Sequence, residues 1–457
     1  MNKKKDKDKV NIIHFTINET KKFNFTQEQY INLEREYNRY SIYNKLIKNI
    51  EKILSINDVF EYNKRKKYEN KNIIERFILE CINHGISPHI NHDISQHINH
   101  GISPHINNNN NHNNSDYNIS NNDDNQCILY NNIFFNPILN NGTIKHIYYF
   151  EKMITEYNEK KIKISSNIIL NIEKEFINAE KEFIKVNNMF NEMINNTIIN
   201  IKKQVECSMT LDSSKSTFII KYRDYIKIID TNRYYKLMKN YDKPFPYNII
   251  HMILRYSIFD TSSQQWSIGI DLYETISDLF DISFETFASP LNFNMYRFCS
   301  IFKDTDSIFG SVGSFYNLNC ENLILQNIKG VFFNPPYLPI LMKKCSANCL
   351  TLLDEMNKNK FDFTIFSFLP NWNDADYIQS LIKSKYMVDY KIVNKGNYIL
   401  QEKDRGKLIT GTFDLLVIVL NSNKNKWDDK KKIEMKSNFN TIIKNMKEET
   451  KELFYKK

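Results

Sequence analysis

The apolar side chains in the first half of the chain recur at helical spacing. Residues 27–80 contain no glycine or proline, and their leucine, isoleucine and tyrosine residues stand mostly three or four positions apart. The same spacing returns over 168–193, which predicts a second long helix. A strand-like pattern then appears at 216–229, where residues 222–224 mark the turn of a β-hairpin. We therefore predict a mainly helical domain with a hairpin, formed by residues 27–80 and 127–247.

After the Pro244-Phe245-Pro246 segment, the pattern changes to an alternation of helices and strands. Residues Ile268–Phe280 have the periodicity of an amphipathic helix, and Ser283–Ala288 have that of a strand. The runs FDFTIFSFL at 361–369 and FDLLVIVL at 413–420 are almost continuously apolar, which is typical of strands buried on both faces. This alternation predicts an α/β fold built on an open, Rossmann-like sheet.

Three further segments differ in composition from these two regions. Residues 1–26 are predicted to be a disordered tail and residues 422–457 a charged C-terminal tail. Between them, residues 82–126 hold three copies of an eight-residue repeat, the first reading INHGISPH, and then an asparagine-rich tract. Such a polar, repetitive composition cannot bury a core, so we predict a disordered low-complexity insertion. No run of 18 apolar residues occurs, which predicts a soluble intracellular protein without a membrane partner and leaves nucleus or cytoplasm open.

Composition excludes several kinds of site. The chain carries 62 lysines and arginines against 53 aspartates and glutamates, a net charge of +9 that is compatible with a nucleic-acid partner. Seven of the ten histidines lie in the repeat segment, and the seven cysteines form no CxxC pair, so no metal site is predicted. Cys345 and Cys349 fit the core face of a helix. The ten glycines form neither a dinucleotide-binding nor a P-loop motif.

The sequence Asn334-Pro335-Pro336-Tyr337 follows a strand-like run, residues 328–333, and carries the most specific chemistry in the chain. The Asn334 side-chain oxygen can accept one N–H of a planar amine, and the Pro335 carbonyl can accept the other. The two prolines have no N–H and a fixed φ, so the turn is stiff and presents acceptors. Tyr337 can stack on the flat substrate. This motif occurs in S-adenosylmethionine-dependent methyltransferases of adenine N6, cytosine N4 or glutamine N5, and the alternative is a strand ended by a Pro-Pro loop.

Two other loops follow predicted strands and would meet this motif at the carboxyl edge of the sheet. In the first, residues 285–292, the small side chains of Ala288 and Ser289 allow a cofactor to approach the backbone. In the second, residues 304–315, Asp304 and Asp306 are candidates for binding ribose hydroxyls. Each loop alone is also compatible with a plain turn.

Taken together, the segments FETFASPLN, FKDTDSIFGSVGSF, FFNPPY and SFLPNW resemble the phosphorylated-CTD-interacting-factor family, roughly over residues 215–421. The resemblance implies a class I methyltransferase sheet over 248–421 with S-adenosylmethionine as cofactor. Asn334, Pro335, Pro336 and Tyr337 match the family's catalytic motif, with Tyr337 in the place of a phenylalanine. Pro370 and Trp372 match a loop on the substrate rim. The predicted cofactor-binding residues are Glu285, Ala288, Ser289, Pro290, Asn292, Asp306, Phe309, Gly310 and Ser311.

The activity implied by the resemblance is methylation of adenosine N6 at the first transcribed nucleotide, beside the 7-methylguanosine cap of RNA. Tyr222, Arg223 and Asp224 are candidates for a cap pocket. Two alternatives stay open: another amino-methyltransferase acting on internal RNA, DNA or a protein glutamine, and a catalytically silent cap-binding subunit. The tryptophans Trp266, Trp372 and Trp427 lack the arrangement of the WW module found in animal members, so we predict that no phospho-tail reader is present. Protein partners are not indicated.

Overall fold

In a computed structural model, the described part of the chain begins at Phe23 and ends at Tyr455. It consists of residues 23–56, 75, 165–195, 203–205, 207–212, 215–238, 245–259, 266–295, 297–402 and 407–455. The low-complexity insertion predicted at 82–126 lies outside these residues, as do residues 1–22 of the predicted tail.

Among the described residues before position 206, two long helices and a short two-stranded sheet are present. The elements are β1 (Phe23–Phe25), α1 (Gln27–Ile56), α2 (Ser166–Asn195) and β2 (Lys203–Val205). Helices α1 and α2 pack on each other through buried isoleucine, leucine and phenylalanine side chains, as their spacing predicts. Strand β1 pairs antiparallel with β2 and Phe25 is buried, so ordered structure begins before the predicted end of the tail at residue 26.

The predicted β-hairpin is confirmed and has a third strand. Strands β3 (Cys207–Asp212), β4 (Thr217–Tyr222) and β5 (Tyr225–Asp230) form an antiparallel sheet. Because Tyr222 pairs with Tyr225, the β4–β5 turn consists of Arg223 and Asp224 alone. Two helices follow, α3 (Thr231–Met238) and α4 (Phe245–Arg255). The Asp230 carboxylate accepts the Asn232 N–H at 2.9 Å and so caps the start of α3.

The remaining elements alternate as an α/β fold. They are β6 (Trp266–Ile268), α5 (Ile270–Phe280), β7 (Phe284–Glu285), β8 (Arg297–Phe298), α6 (Lys303–Asp306), α7 (Cys320–Leu325), β9 (Gly330–Phe333), α8 (Pro339–Lys358), β10 (Thr364–Pro370), α9 (Asp376–Ile382), β11 (Met387–Val393), β12 (Ile399–Glu402), β13 (Lys407–Thr410), β14 (Leu415–Asn421) and α10 (Asp429–Tyr455).

The central sheet has six strands in the order β11-β14-β10-β9-β7-β8. Strands β8, β7, β9 and β10 run parallel, and β14 is antiparallel to both of its neighbours. The chain places β8 on one side of β7 and β9 on the other, so a topological switch point lies between β7 and β9. A smaller antiparallel sheet, in the order β13-β12-β6, stands beside it.

Alternate side chains of the central strands enter two different cores. Val331 and Phe333 belong to the core that includes α7, α8 and α9. Phe332 belongs to the opposite core, which includes α5 and α10. Helices thus cover both faces, and the α/β prediction is confirmed as a mixed six-stranded sheet between helices. The apolar side of α10, including Phe439, is buried in the second core, so the predicted charged tail contributes to the fold.

Candidate active site

A cavity of about 470 Å³ opens at the carboxyl ends of β7 and β9, at the switch point of the sheet. Its floor comes from the loops that follow these two strands, and one wall comes from the small β6–β12–β13 sheet. This is the position at which open α/β sheets bind ligands. The predicted site residues that line it are Glu285, Ala288, Ser289, Asn292, Asn334, Pro335, Pro336 and Tyr337.

The loop after β9 is held in a tight conformation by its prolines. The Leu338 N–H donates to the Pro336 carbonyl at 2.8 Å, and Pro339 begins α8 directly afterwards. Within the described part of the chain, no donor reaches the Pro335 carbonyl. Asn334 and Pro335 both line the cavity, which is compatible with the amine-binding turn that the sequence predicts.

Tyr337 is held by its hydroxyl group. The phenol oxygen lies 3.0 Å from Asn334 Oδ1 and 3.1 Å from the Phe368 carbonyl oxygen, within hydrogen-bond distance of both. Its ring meets the edge of Phe413, with the two ring centroids 5.6 Å apart and the planes at 90°. Burial raises the pKa of Tyr337 well above its ordinary value, so the hydroxyl stays protonated and can donate.

Glu285 ends β7, and its carboxylate braces the loop that follows. Glu285 Oε2 accepts the Asn294 N–H at 2.8 Å and the Met295 N–H at 3.3 Å. Burial raises the pKa of Glu285, although these N–H groups and the Tyr273 hydroxyl lower it in part. Glu285 therefore lies at the cavity wall with a pKa above its ordinary value, and its contacts to main-chain N–H groups fix the loop after β7.

The turn after Glu285 is closed by an amide side chain. Asn292 Oδ1 accepts the Ser289 N–H at 2.7 Å and the Ser289 hydroxyl at 3.1 Å. This bond keeps the small residues Ala288 and Ser289 at the cavity surface. Pro290, predicted with them, is buried in the same turn and does not line the cavity.

The predicted cofactor residues from Asp306 to Ser311 stand behind the cavity wall. The Asp306 carboxylate accepts the Tyr256 hydroxyl at 2.6 Å and the Thr305 hydroxyl at 2.9 Å. The Ser311 and Ser300 hydroxyls lie 2.7 Å apart, and it is Tyr256 and Ser300 that line the cavity. Phe309 is buried, and Gly310 has a φ of +99°, which favours glycine at this turn. This segment supports residues that line the cavity and does not line it itself.

Asp304, the other ribose candidate, takes part in a buried ionic cluster. Arg255 contacts the Asp304 carboxylate at 2.9 Å and the Glu36 carboxylate at 2.8 Å, and Arg39 contacts Glu36 at 3.1 Å. Burial would raise the pKa of Glu36, but Arg255 and Arg39 together lower it to about 2. The cluster joins α1 to α4 and α6, so these charges connect the helical region to the sheet.

The other predicted substrate residues do not line the cavity. Pro370 is the buried last residue of β10. Trp372 is half-buried just beyond it, and the main-chain N–H of Trp372 donates to the Pro370 carbonyl. The candidate cap residues bind α1: Tyr222 and Arg223 contact the Glu34 carboxylate, and Asp224 accepts the Tyr37 hydroxyl at 2.5 Å.

Sequence reasoning missed the wall formed by the small sheet. Trp266 and Ile268 on β6, Leu400 on β12 and Ile409 on β13 all line the cavity, as does Phe413 after β13. Strand β6 pairs with β12 across more than a hundred residues of sequence, with Leu400 opposite Ile268. Local periodicity contains no signal for such a pairing.

Comparison with known proteins connects this geometry to one group. Residues 227–402 match a family model described as "Phosphorylated CTD interacting factor 1 WW domain". Two curated relatives, both named "mRNA (2'-O-methyladenosine-N(6)-)-methyltransferase", are similar over 124 residues: the mouse protein (Mus musculus) at 34% identity and the human protein (Homo sapiens) at 33%. The aligned part is 27% of this chain and only 16% of each relative.

The family description names a WW domain, which bears on the prediction that this chain has no such module. The matched residues include the parallel strands of the central sheet and the loop at Asn334. Trp266 lies in the small sheet, Trp372 follows β10, and Trp427 precedes α10, so the three tryptophans belong to separate elements. The match therefore falls on the cavity-bearing region.

Among the residues described here, no helix is long and apolar enough to cross a membrane.

Proposed function

We propose that this protein is an S-adenosylmethionine-dependent methyltransferase of adenosine N6 in RNA, acting at the first nucleotide beside a 7-methylguanosine cap. The observation that carries the proposal is the acceptor pair of Asn334 and Pro335 at the switch point of the sheet, across from the small residues after β7. The relatives' names support an enzyme that methylates adenosine N6 in mRNA. The order and direction of the six strands support a Rossmann-like class I methyltransferase core.

The cavity fits S-adenosylmethionine in size and in character. Its 470 Å³ lies within the range of about 300 to 1,000 Å³ that small-molecule sites occupy. Ala288 and Ser289 leave space at the end of β7, and the rings of Phe287 and Phe315 give it apolar walls. When bound, S-adenosylmethionine supplies a methyl group attached to a positively charged sulfur. Ala288, Ser289 and Asn292 would hold it, with Glu285 bracing their loop.

The residues after β9 position the amine that receives the methyl group. Asn334 Oδ1 and the Pro335 carbonyl accept its two N–H groups, which leaves the nitrogen lone pair directed away from them. With the cofactor bound, this lone pair would take up the methyl group as the C–S bond breaks and its electrons stay on sulfur, and one amine proton would leave to solvent. Both acceptors bind more strongly as positive charge grows on nitrogen, so they stabilise the transition state more than the ground state.

The motif alone does not select among adenine, cytosine and glutamine, since each offers an NH2 on a planar group. A substrate panel therefore tests the proposal. Nucleoside mass spectrometry after incubation with capped RNA beginning in adenosine should show N6-methylated adenosine. The same RNA with a 5′ triphosphate, DNA of the same sequence, and glutamine peptides should give much less product. Equal rates on capped and triphosphate RNA would remove the cap preference, and methylation of DNA or peptide alone would replace the RNA substrate.

A further inference from the structure

The hydroxyl of Tyr337 occupies a position that stacking on a substrate does not require. It stands between the Asn334 side chain, at 3.0 Å, and the Phe368 carbonyl, at 3.1 Å. A phenylalanine ring would stack equally well and make neither contact. The hydroxyl therefore serves a purpose separate from the flat face of the ring.

The Phe368 carbonyl is available because β10 is longer than β9. The N–H of Thr364 donates to the Lys329 carbonyl, so Thr364 directs its backbone polar groups toward β9. Alternation along the strand directs those of Phe368 to the same side. The parallel ladder between β9 and β10 ends at the pair Ser367–Phe333. Beyond that pair, the Phe368 carbonyl accepts the Tyr337 hydroxyl in place of a strand N–H.

The phenol has one hydrogen and faces two oxygen acceptors, so it can donate fully to only one of them. If it donates to Phe368, its own oxygen becomes an acceptor that faces the Asn334 amide. An amide rotated by 180° about its last bond then donates Nδ2–H to that oxygen. In this arrangement the Asn334 Nδ2–H donates to the Tyr337 oxygen, and the Tyr337 hydroxyl donates to the Phe368 carbonyl. Asn334 Oδ1 then points away from Tyr337 with both lone pairs free.

We propose that the Tyr337 hydroxyl is a positioning group that selects the orientation of the Asn334 amide, so that its oxygen faces the substrate amine. This inference rests on the proposed function of Asn334. Without the hydroxyl, the amide can present its NH2 to the NH2 of the substrate, and two donors then face each other. The role of Tyr337 is thus to prevent the unproductive amide orientation.

The test compares Tyr337→Phe with the wild type in steady-state methylation of capped RNA. The substitution keeps the ring and removes only the hydroxyl. We expect kcat to fall by about tenfold, the effect of one hydrogen bond that matters in the transition state. The KM for RNA and the Kd for S-adenosylmethionine should change by less than about twofold, because neither depends on the amide orientation. Tyr386→Phe, which removes a hydroxyl bond to Asp354 on α8, is the matched control and should retain the wild-type kcat.

A second background separates orientation from simple packing. In Asn334→Asp, both side-chain atoms are oxygens, so the orientation of the group no longer matters. There Tyr337→Phe should lower kcat by less than about twofold, which gives a coupling between the two sites. An equal loss in both backgrounds, or an unchanged kcat in Tyr337→Phe alone, would overturn the inference. If Asn334→Asp has no activity, the kcat effect of the single variant decides. Failure of the proposed function is distinct, since the wild type would then not methylate the RNA.

Discussion

Two buried carboxyl groups, Glu36 and Asp306, have consecutive residues as partners, and their pKa values shift in opposite directions although burial raises both. Arg255 pairs with Glu36, where burial is outweighed by two arginines and the pKa falls to about 2. Tyr256 donates to Asp306, where burial dominates and raises the pKa to about 7, despite hydrogen bonds from Ser300, Tyr256 and Thr305. The difference is the charge of the partner, because a hydroxyl stabilises an ionised carboxylate less than a guanidinium does.

The two carboxyl groups also differ in their distance from the cavity. The ionic cluster around Glu36 joins α1 to α4 and α6 and has no group in the cavity lining. The Asp306 carboxyl lies directly behind Tyr256 and Ser300, which line the cavity. Toward the cavity, the chain offers neutral acceptors and aromatic rings, and burial raises the pKa values of the nearby Glu285 and Asp306 carboxyl groups. Such a site suits a neutral amine whose positive charge appears only during reaction.

The largest expected effect comes from breaking the ion pairs of Glu36. Glu36→Gln leaves Arg39 and Arg255 buried without their shared anion, so the free energy of unfolding should fall by about 3 to 5 kcal/mol. Glu182→Gln is the matched control, because its pair with Lys45 is exposed and worth about 1 kcal/mol or less. Urea unfolding at pH 7 measures both variants. A similar loss in the two would contradict the assignment of the ionic cluster as a structural joint.

The cavity wall can be disturbed by a substitution that changes no charge. A Cβ added at Gly411 would lie 2.0 Å from the Tyr398 ring, and Gly411 adjoins Thr412 and Phe413 in the cavity wall. Gly411→Ala should therefore cost about 1 to 3 kcal/mol in unfolding free energy and also lower methylation activity. At Gly396 an added Cβ meets no atom within 4 Å, and only the φ of +81° opposes it. Gly396→Ala should cost about 1 kcal/mol and spare activity, and an equal loss of activity in both variants would show that the wall is not involved.

A change at Asp306 is expected to have a smaller effect on stability, and one that depends on pH. Asp306 has a folded pKa of about 7 against an ordinary value of 3.8, so between these values the folded state binds more protons than the unfolded state. Its contribution to stability therefore declines as the pH rises through this range. Asp306→Asn cannot ionise, so the melting temperature of the variant minus that of the wild type should increase as the pH rises from 4 to 7.5. A difference that stays constant with pH would show that Asp306 is ionised throughout. Glu36 has the opposite sign, since its stabilising effect is lost as the pH falls from 4.5 toward 2.

Sequence reasoning succeeded where the signal is local. The loop at Asn334 directly follows its strand, and Cys345 and Cys349 take the fully buried face of α8, as their spacing predicts. It did not find the protein partners of Asp304 and Asp306, because local sequence gives no sign of which distant residues an acidic side chain in a loop will contact. Those partners, Arg255 and Tyr256, are about fifty positions upstream. The small-sheet wall was missed for the same reason, since only the fold brings β6 beside β12.

The most direct measurement of the central claim is methyl transfer by Asn334→Ala together with its affinity for S-adenosylmethionine. The account predicts a loss of about 10²-fold or more in kcat on capped, adenosine-start RNA, as for the loss of one preorganised partner of a developing charge. Calorimetric titration should show cofactor binding nearly unchanged, because the proposed mechanism assigns the amine to Asn334 and the cofactor to the loop after β7. A variant that keeps more than about a tenth of the wild-type rate would contradict the account.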